Sequence, residues 1–178
     1  MADDSEETWQ IADRLYAART GMAGTKPGKQ GVGIAELLQF LADPASTLSM
    51  EAQRALFSNP RLRADFHKLK QRLRMGELPA RAAASDSNLN MRTFEGGTVR
   101  IHPSRVAGQT YALFQFNWPS GLPRALLIEG AAGEIIKRPL SAADASGQVV
   151  IILDQASAAD QAFLRLISDP TATGSFLL

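Results

Sequence analysis

The chain has 178 residues and a mass of 19.2 kDa, with 45% hydrophobic and 21% charged side chains and no cysteine. This composition is typical of a globular protein, and the missing cysteines exclude disulfides, cysteine nucleophiles and cysteine-ligated zinc. The 19 basic and 18 acidic side chains nearly cancel, so we do not expect a general binder of nucleic acid or of membrane surfaces.

The N-terminus is acidic, where a secretory signal would be basic and then apolar. The longest apolar runs, 125–128 and 149–153, are far shorter than the roughly 18 residues that a membrane span needs. We therefore expect a cytoplasmic protein without a membrane partner. The charge is unevenly spread, because residues 1–51 are acidic and residues 52–89 are strongly basic.

Residues 1–20 have the pattern of an amphipathic N-terminal helix or arm. Ser5 suits the cap position, and the apolar stripe that follows includes Trp9 and Tyr16. Residues 21–33 contain five glycines and few side chains that a core would bury, so they are predicted to form a glycine-rich linker.

A small helical module is predicted over residues 34–78. Two short helices span about 34–42 and 49–58, with apolar positions at helical spacing. A third follows Asn59, a good cap, and is expected to end near Gly76.

The outward face of this third helix is basic. We predict that these side chains dock a protein partner, with Trp9 and Tyr16 of the arm as apolar anchors. The predicted contact residues are Arg61, Arg63, Lys68, Lys70, Arg72 and Arg74. The alternative is an ordinary solvated helix face.

Residues 79–91 are small and polar and are predicted to be a linker, after which the pattern changes from period 3.6 to period 2. Residues 92–178 are therefore predicted to form an antiparallel β-sandwich domain with a late C-terminal helix capped by Ser157. The expected strands are 98–102, 109–118, 124–129, 134–140 and 148–153, with 174–178 as a sixth. The fold class is thus α+β, a helical module followed by a sandwich.

Two expectations concern packing within the sandwich. The aromatic stripe of Phe114, Phe116 and Trp118 is predicted to lie in the core. Residues 149–153 are apolar on both faces, so their strand is expected to be central or to be covered by the last helix.

Tests for enzymatic motifs are negative. Gly28-Lys29 lacks the flanking residues of a phosphate-binding loop, and His67 and His102 lie in different predicted domains. We expect no cofactor and no metal ion, and a non-enzymatic protein.

Two alternatives stay open. The first is a small-ligand-binding or hydrolytic β domain, with a site at the loop end of the sandwich formed by His102, Arg105 and Asp144. The second is an obligate subunit of a homo-oligomer, in which uncovered strand edges and the apolar segment 176–178 add to a neighbour's sheet.

The helical module resembles a known family in three stretches: Leu37 to Leu41, Met50 to Phe57, and Asn59-Pro-Arg-Leu-Arg-Ala-Asp-Phe-His-Lys-Leu-Lys70 with the exit 79–85. Together, residues 34–85 resemble the cytoplasmic helical domain of bacterial anti-sigma factors. The resemblance implies a regulator whose short helices clamp a sigma factor. Because no Cys is present and a polar linker replaces the expected membrane span, it implies a zinc-free version without a transmembrane signal.

Overall fold

The structure is a computed structural model that describes residues 33–80, 89–118 and 121–178. The predicted arm 1–20, with Trp9 and Tyr16, lies outside the described residues, as do 21–32 and 81–88 of the two predicted linkers. Residues Val32–Leu178 form one compact unit. No helix within the described ranges is long and apolar enough to cross a membrane.

The three predicted helices of the module are present. They are α1 (Ile34–Ala42), α2 (Met50–Ser58) and α3 (Pro60–Leu73). The side chain of Ser49 caps α2 by accepting the Ala52 N–H at 3.1 Å. Asn59 caps α3 by accepting the N–H groups of Arg61 and Leu62, as its position before Pro60 predicts.

The end of α3 differs from the prediction, because residues Arg74–Leu78 form strand β1 instead of a last helical turn. This segment pairs with the C-terminal strand, and Leu78 is fully buried there. At Gly76 a Cβ atom would lie 2.4 Å from the Trp118 ring, so the glycine permits a close approach of strand and indole. The helices and the sandwich therefore share one compact unit, and the predicted boundary at 79–91 does not separate two cores.

The remaining chain forms two antiparallel four-stranded sheets and one helix. The strands are β2 (Met91–Phe94), β3 (Gly97–Pro103), β4 (Gln109–Phe116), β5 (Ala125–Glu129), β6 (Ile135–Pro139), β7 (Gln148–Asp154) and β8 (Thr173–Leu177), with helix α4 (Ala158–Ser168) before β8. Sheet A has the order β1-β8-β5-β6, and sheet B has the order β2-β3-β4-β7. The predicted α+β fold, with its late helix and C-terminal strand, is confirmed.

The main core fills the space between the two sheets. Phe114 and Phe116 of β4 are buried there beside Phe176 of β8, and the half-buried Trp118 stacks on Phe116, so the predicted aromatic stripe is confirmed. Helix α4 adds Phe163 and other apolar side chains to this same core.

A second core lies on the outer face of sheet A. The three N-terminal helices cover this face by burying Leu37, Leu41 and Phe66 against Leu127 of β5 and Leu177 of β8. The described residues thus form three layers: helices, sheet A and sheet B.

The outer face of sheet B carries no such layer in the described part of the chain. Side chains of β7 alternate, with Val149 and Ile151 inward and Val150 and Ile152 outward, and the outward pair is 46% and 55% exposed. The expectation that residues 149–153 would be central or covered on both faces is wrong, because β7 is an edge strand and α4 packs only on the inward side, in the main core.

The C-terminal strand is also placed differently from one expectation. Strand β8 pairs with β1 on one side and with β5 on the other, and Phe176 and Leu177 are fully buried. Segment 176–178 therefore does not supply the free edge that the homo-oligomer alternative assigned to it, because both of its edges are paired within the chain.

Candidate functional site

The predicted basic surface divides into residues used inside the fold and residues that face solvent. Arg63 donates from Nε to the carbonyl of Leu56 at 3.2 Å and from Nη2 to that of Phe57, so its guanidinium binds the C-terminal end of α2. Lys70 forms an ion pair with Glu129 of β5, in which both side chains are largely buried. These two cations hold the helices to one another and to sheet A.

Arg74 does not lie on the helix at all. It is the first residue of β1 and pairs with Glu77 on the same strand. The predicted position of Arg74 within the helix is therefore wrong, since α3 ends at Leu73, and its role in partner contact stays a prediction.

The other three predicted contact residues stay exposed on α3. Arg61, Lys68 and Arg72 are spaced by seven and four residues, which places them on one side of the helix. Lys68 is 73% exposed and lies 4.0 Å from Asp65, a geometry that contributes little in water. We call these three residues the α3 ridge; among the described residues, neither Arg61 nor Arg72 forms an ion pair.

Two further cations, which sequence reasoning missed, anchor other helix ends. The first is Lys137 of β6, whose Nζ donates to the carbonyls of Phe40 and Asp43 and to Ser46 Oγ. The ammonium also lies 4.2 Å from the centre of the Phe40 ring. Burial lowers the pKa of Lys137 to about 8, while Asp43 acts in the opposite direction.

The second is Arg92 of β2, which is 1% exposed. Its Nη2 donates to the carbonyls of Pro79 and Ala172 at 2.7 Å, and its Nη1 to those of Ile167 and Asp169 at 3.3 Å. Arg92 thus binds the C-terminal end of α4 and joins it to β2 and to the approach to β8. The sequence does contain one signal for the burial of Arg92. It lies two residues before Phe94, so both side chains are on the same face of β2, a strand that was not predicted.

The candidate ligand site of His102, Arg105 and Asp144 is not assembled. His102 is the second-last residue of β3 and pairs with Tyr111, and Arg105 follows in the exposed β3–β4 loop. Asp144 lies before β7, at the end of sheet B where Gln148 pairs with Gln115. Because Tyr111 and Gln115 are four residues apart on β4, the two parts of the proposed site are separated by roughly 13 Å along the strands, and β4 also lies between them.

Asp144 instead organises its own loop. Its carboxylate accepts hydrogen bonds from the Ser146 hydroxyl and from the N–H groups of Ser146 and Gln148, which lowers its pKa. The side chain shapes the turn into β7, as Asp residues commonly do in loops.

A small cavity lies where α2 and α3 meet the β5–β6 turn. Its volume is about 340 Å³, and its lining combines apolar residues with Arg63, His67 and Glu129. The Arg63 and Glu129 side chains are engaged with α2 carbonyls and with Lys70. The cavity therefore presents His67 as its polar side chain without an ion pair among the described residues.

No protein family, curated protein or solved structure matches the chain.

Proposed function

We propose that this chain is a non-enzymatic regulator in the bacterial cytoplasm that captures an acidic surface of a protein partner through the α3 ridge. The observation that carries the proposal is that Arg61, Lys68 and Arg72 remain exposed together while the neighbouring cations Arg63 and Lys70 are engaged within the fold.

The structure of α3 supports a docking role for this side of the helix. The neighbouring side of the helix is fixed, because Leu62 and Phe66 are buried in the core shared with sheet A. A rigid helix presents its cations without a large loss of side-chain and backbone freedom on binding. Complementary charge on a partner would then act mainly on selectivity and association rate.

The resemblance of residues 34–85 to the helical domain of anti-sigma factors makes a sigma factor the first partner class to test. The proposed mode of binding differs from that of helices that close around a partner with their apolar faces. The apolar faces of α1, α2 and α3 are occupied by sheet A, so the proposed contact relies on the outward, charged side of α3. Trp9 and Tyr16 remain predicted anchors.

The test is capture by the tagged full-length protein from native lysate at low and moderate salt, followed by measurement of affinity for the retained partner. We expect reversal of the ridge in the triple variant Arg61→Glu, Lys68→Glu and Arg72→Glu to abolish binding without lowering the melting temperature. The interaction should weaken as salt rises, because exposed charges are screened.

The matched control reverses three other exposed arginines, Arg54→Glu, Arg105→Glu and Arg124→Glu, which changes the net charge by the same amount away from the ridge. This control should bind like the wild type. Equal binding by the ridge variant and the wild type would overturn the assignment, and equal loss in both variants would reduce it to an effect of net charge.

A further inference from the structure

The open edge of sheet B has an unusual set of side chains. Strand β7 pairs with β4 on one side, and no described strand pairs with its other side. Its outward residues Val150 and Ile152 are β-branched, apolar and half exposed. An exposed apolar edge strand is a site for pairing with another strand, and proteins usually protect such edges with charge or proline.

The backbone of this edge is protected only at its ends. N–H groups alternate in direction along a strand, so those of residues 148, 150, 152 and 154 point away from β4. The Gln148 N–H donates to the carboxylate of Asp144 at 3.0 Å, and the Asp154 N–H donates to that of Asp160 at 3.0 Å. Between them, Val150 and Ile152 have no hydrogen-bond partner for their N–H groups among the described residues.

This pattern is symmetric about Ile151. We propose that a second copy of this chain pairs antiparallel along β7, with Val150 opposite Ile152 of the second copy, to form a continuous eight-stranded sheet. In this register each of the two free residues exchanges both backbone hydrogen bonds with its counterpart, so four bonds form. The protected amides at residues 148 and 154 lie opposite each other and end the pairing on both sides.

The side chains of the outer face support the same register. Within one chain, Ile152 lies beside Tyr111 and Val150 beside Leu113 on neighbouring strands. Pairing across β7 joins these into two apolar rows, each running from Tyr111 of one copy to Leu113 of the other. Directly opposed β-branched and aromatic side chains stabilise sheets, and the rows would remove the exposed faces of Val150 and Ile152 from water.

Charge gives the pairing a distinct salt response. The register brings Asp144 of one copy towards Asp160 of the other, and Arg138 balances Asp160 at 2.7 Å. Because Arg138 already neutralises Asp160, the apolar rows and the backbone hydrogen bonds determine the pairing, so the dimer should depend little on added salt. Binding through the α3 ridge is expected to weaken as salt rises, so the two proposals fail independently.

The sharpest test uses the absence of cysteine in the chain, because a single introduced cysteine can form a disulfide only between molecules. Directly opposed residues of an antiparallel hydrogen-bonded pair have a Cα separation of about 5.5 Å, which a disulfide spans. A mixture of full-length Val150→Cys and Ile152→Cys proteins should therefore cross-link faster on mild oxidation than either variant alone. Cross-linking at equal rates in all three samples would overturn the register.

Light scattering and sedimentation test the assembly itself. The wild type should have twice the mass of one chain, and Ile152→Lys should be monomeric and still folded, as its circular dichroism spectrum would show. Val106→Lys is the matched control, since Val106 in the β3–β4 loop is 55% exposed, as is Ile152. This control should stay dimeric. A monomeric wild type over the whole concentration range, or loss of the dimer in both variants, would overturn the proposal.

Discussion

The outer faces of the two sheets have similar apolar side chains but different surroundings. On sheet A, Leu127 and Leu177 are fully buried beneath α1, α2 and α3. On sheet B, Leu113 is only partly buried, and Val150 and Ile152 are about half exposed with no described layer above them. The same residue types thus contribute to the stability of the monomer on one sheet and remain available for contact on the other.

The difference shows why apolar composition does not distinguish a core from an interface. A strand buried on both faces reads as a continuous apolar run, and β5 and β7 both have this pattern. In β5 the second apolar face meets helices of the same chain. In β7 it meets nothing that the structure describes, which is the observation behind the proposed second copy.

The largest expected loss of stability concerns Arg92, the side chain that links the two sheets. Arg92→Met should lower the free energy of unfolding by about 4 kcal/mol, because four carbonyls at the end of α4, after β1 and before β8 lose their donor, two of them in buried and two in partly buried hydrogen bonds. Chemical denaturation measures the loss. The control Arg100→Met, on the exposed face of the same sheet, should change stability by less than about 0.5 kcal/mol. A small loss in Arg92→Met would mean that this side chain does not join the sheets.

The second prediction compares the two outer faces directly. Leu127→Ala should cost about 3 kcal/mol of unfolding free energy, since it leaves a cavity beneath the helices. Leu113→Ala, the same change on the outer face of sheet B, should cost less than about 1 kcal/mol in the monomer, because its side chain is already partly exposed. Both losses are measured by urea denaturation of proteins that also carry Ile152→Lys, because this change removes any contribution from the proposed dimer. Equal losses would contradict the contrast between the faces.

Sequence patterns located most of the regular elements but not their arrangement. The caps at Asn59 and Ser157 and the period of each segment locate the four described helices and six of the eight described strands, because these signals are local. Strand β1 was missed because residues 74–78 continue directly from a helix, and its partner lies almost a hundred residues away in the sequence. Whether β7 is central or at an edge depends on sheet order, which periodicity does not encode.

The candidate docking residues show the same limit. Helical spacing correctly groups Arg61, Lys68 and Arg72, since it reports which side chains share a face. It does not report that Lys70 meets Glu129 across the layer boundary or that Arg63 reaches α2. A cation that binds the C-terminal end of a helix from another helix or strand leaves no periodic signal. The two partners belong to different elements, and periodicity reports only which residues share a face within one element.

The smallest effect tests how the helical layer is fastened to sheet A. Lys137 of β6 donates to carbonyls at the end of α1, so Lys137→Met should cost about 1 kcal/mol at neutral pH. Lys68→Met, an exposed lysine on α3, is the control and should change stability by less than about 0.5 kcal/mol.

The pH dependence of the Lys137→Met effect separates the charge of Lys137 from its hydrogen bonds. Its pKa is lowered from 10.5 to about 8 in the folded chain because burial disfavours the ammonium. Between these two values the unfolded chain binds more protons, so the contribution of this group to the free energy of unfolding rises with pH. The difference in stability between wild type and Lys137→Met should therefore grow from about pH 8 to about pH 10.5. A difference that shrinks over this range would mean that the carbonyls and the Phe40 ring favour the ammonium more strongly than burial opposes it.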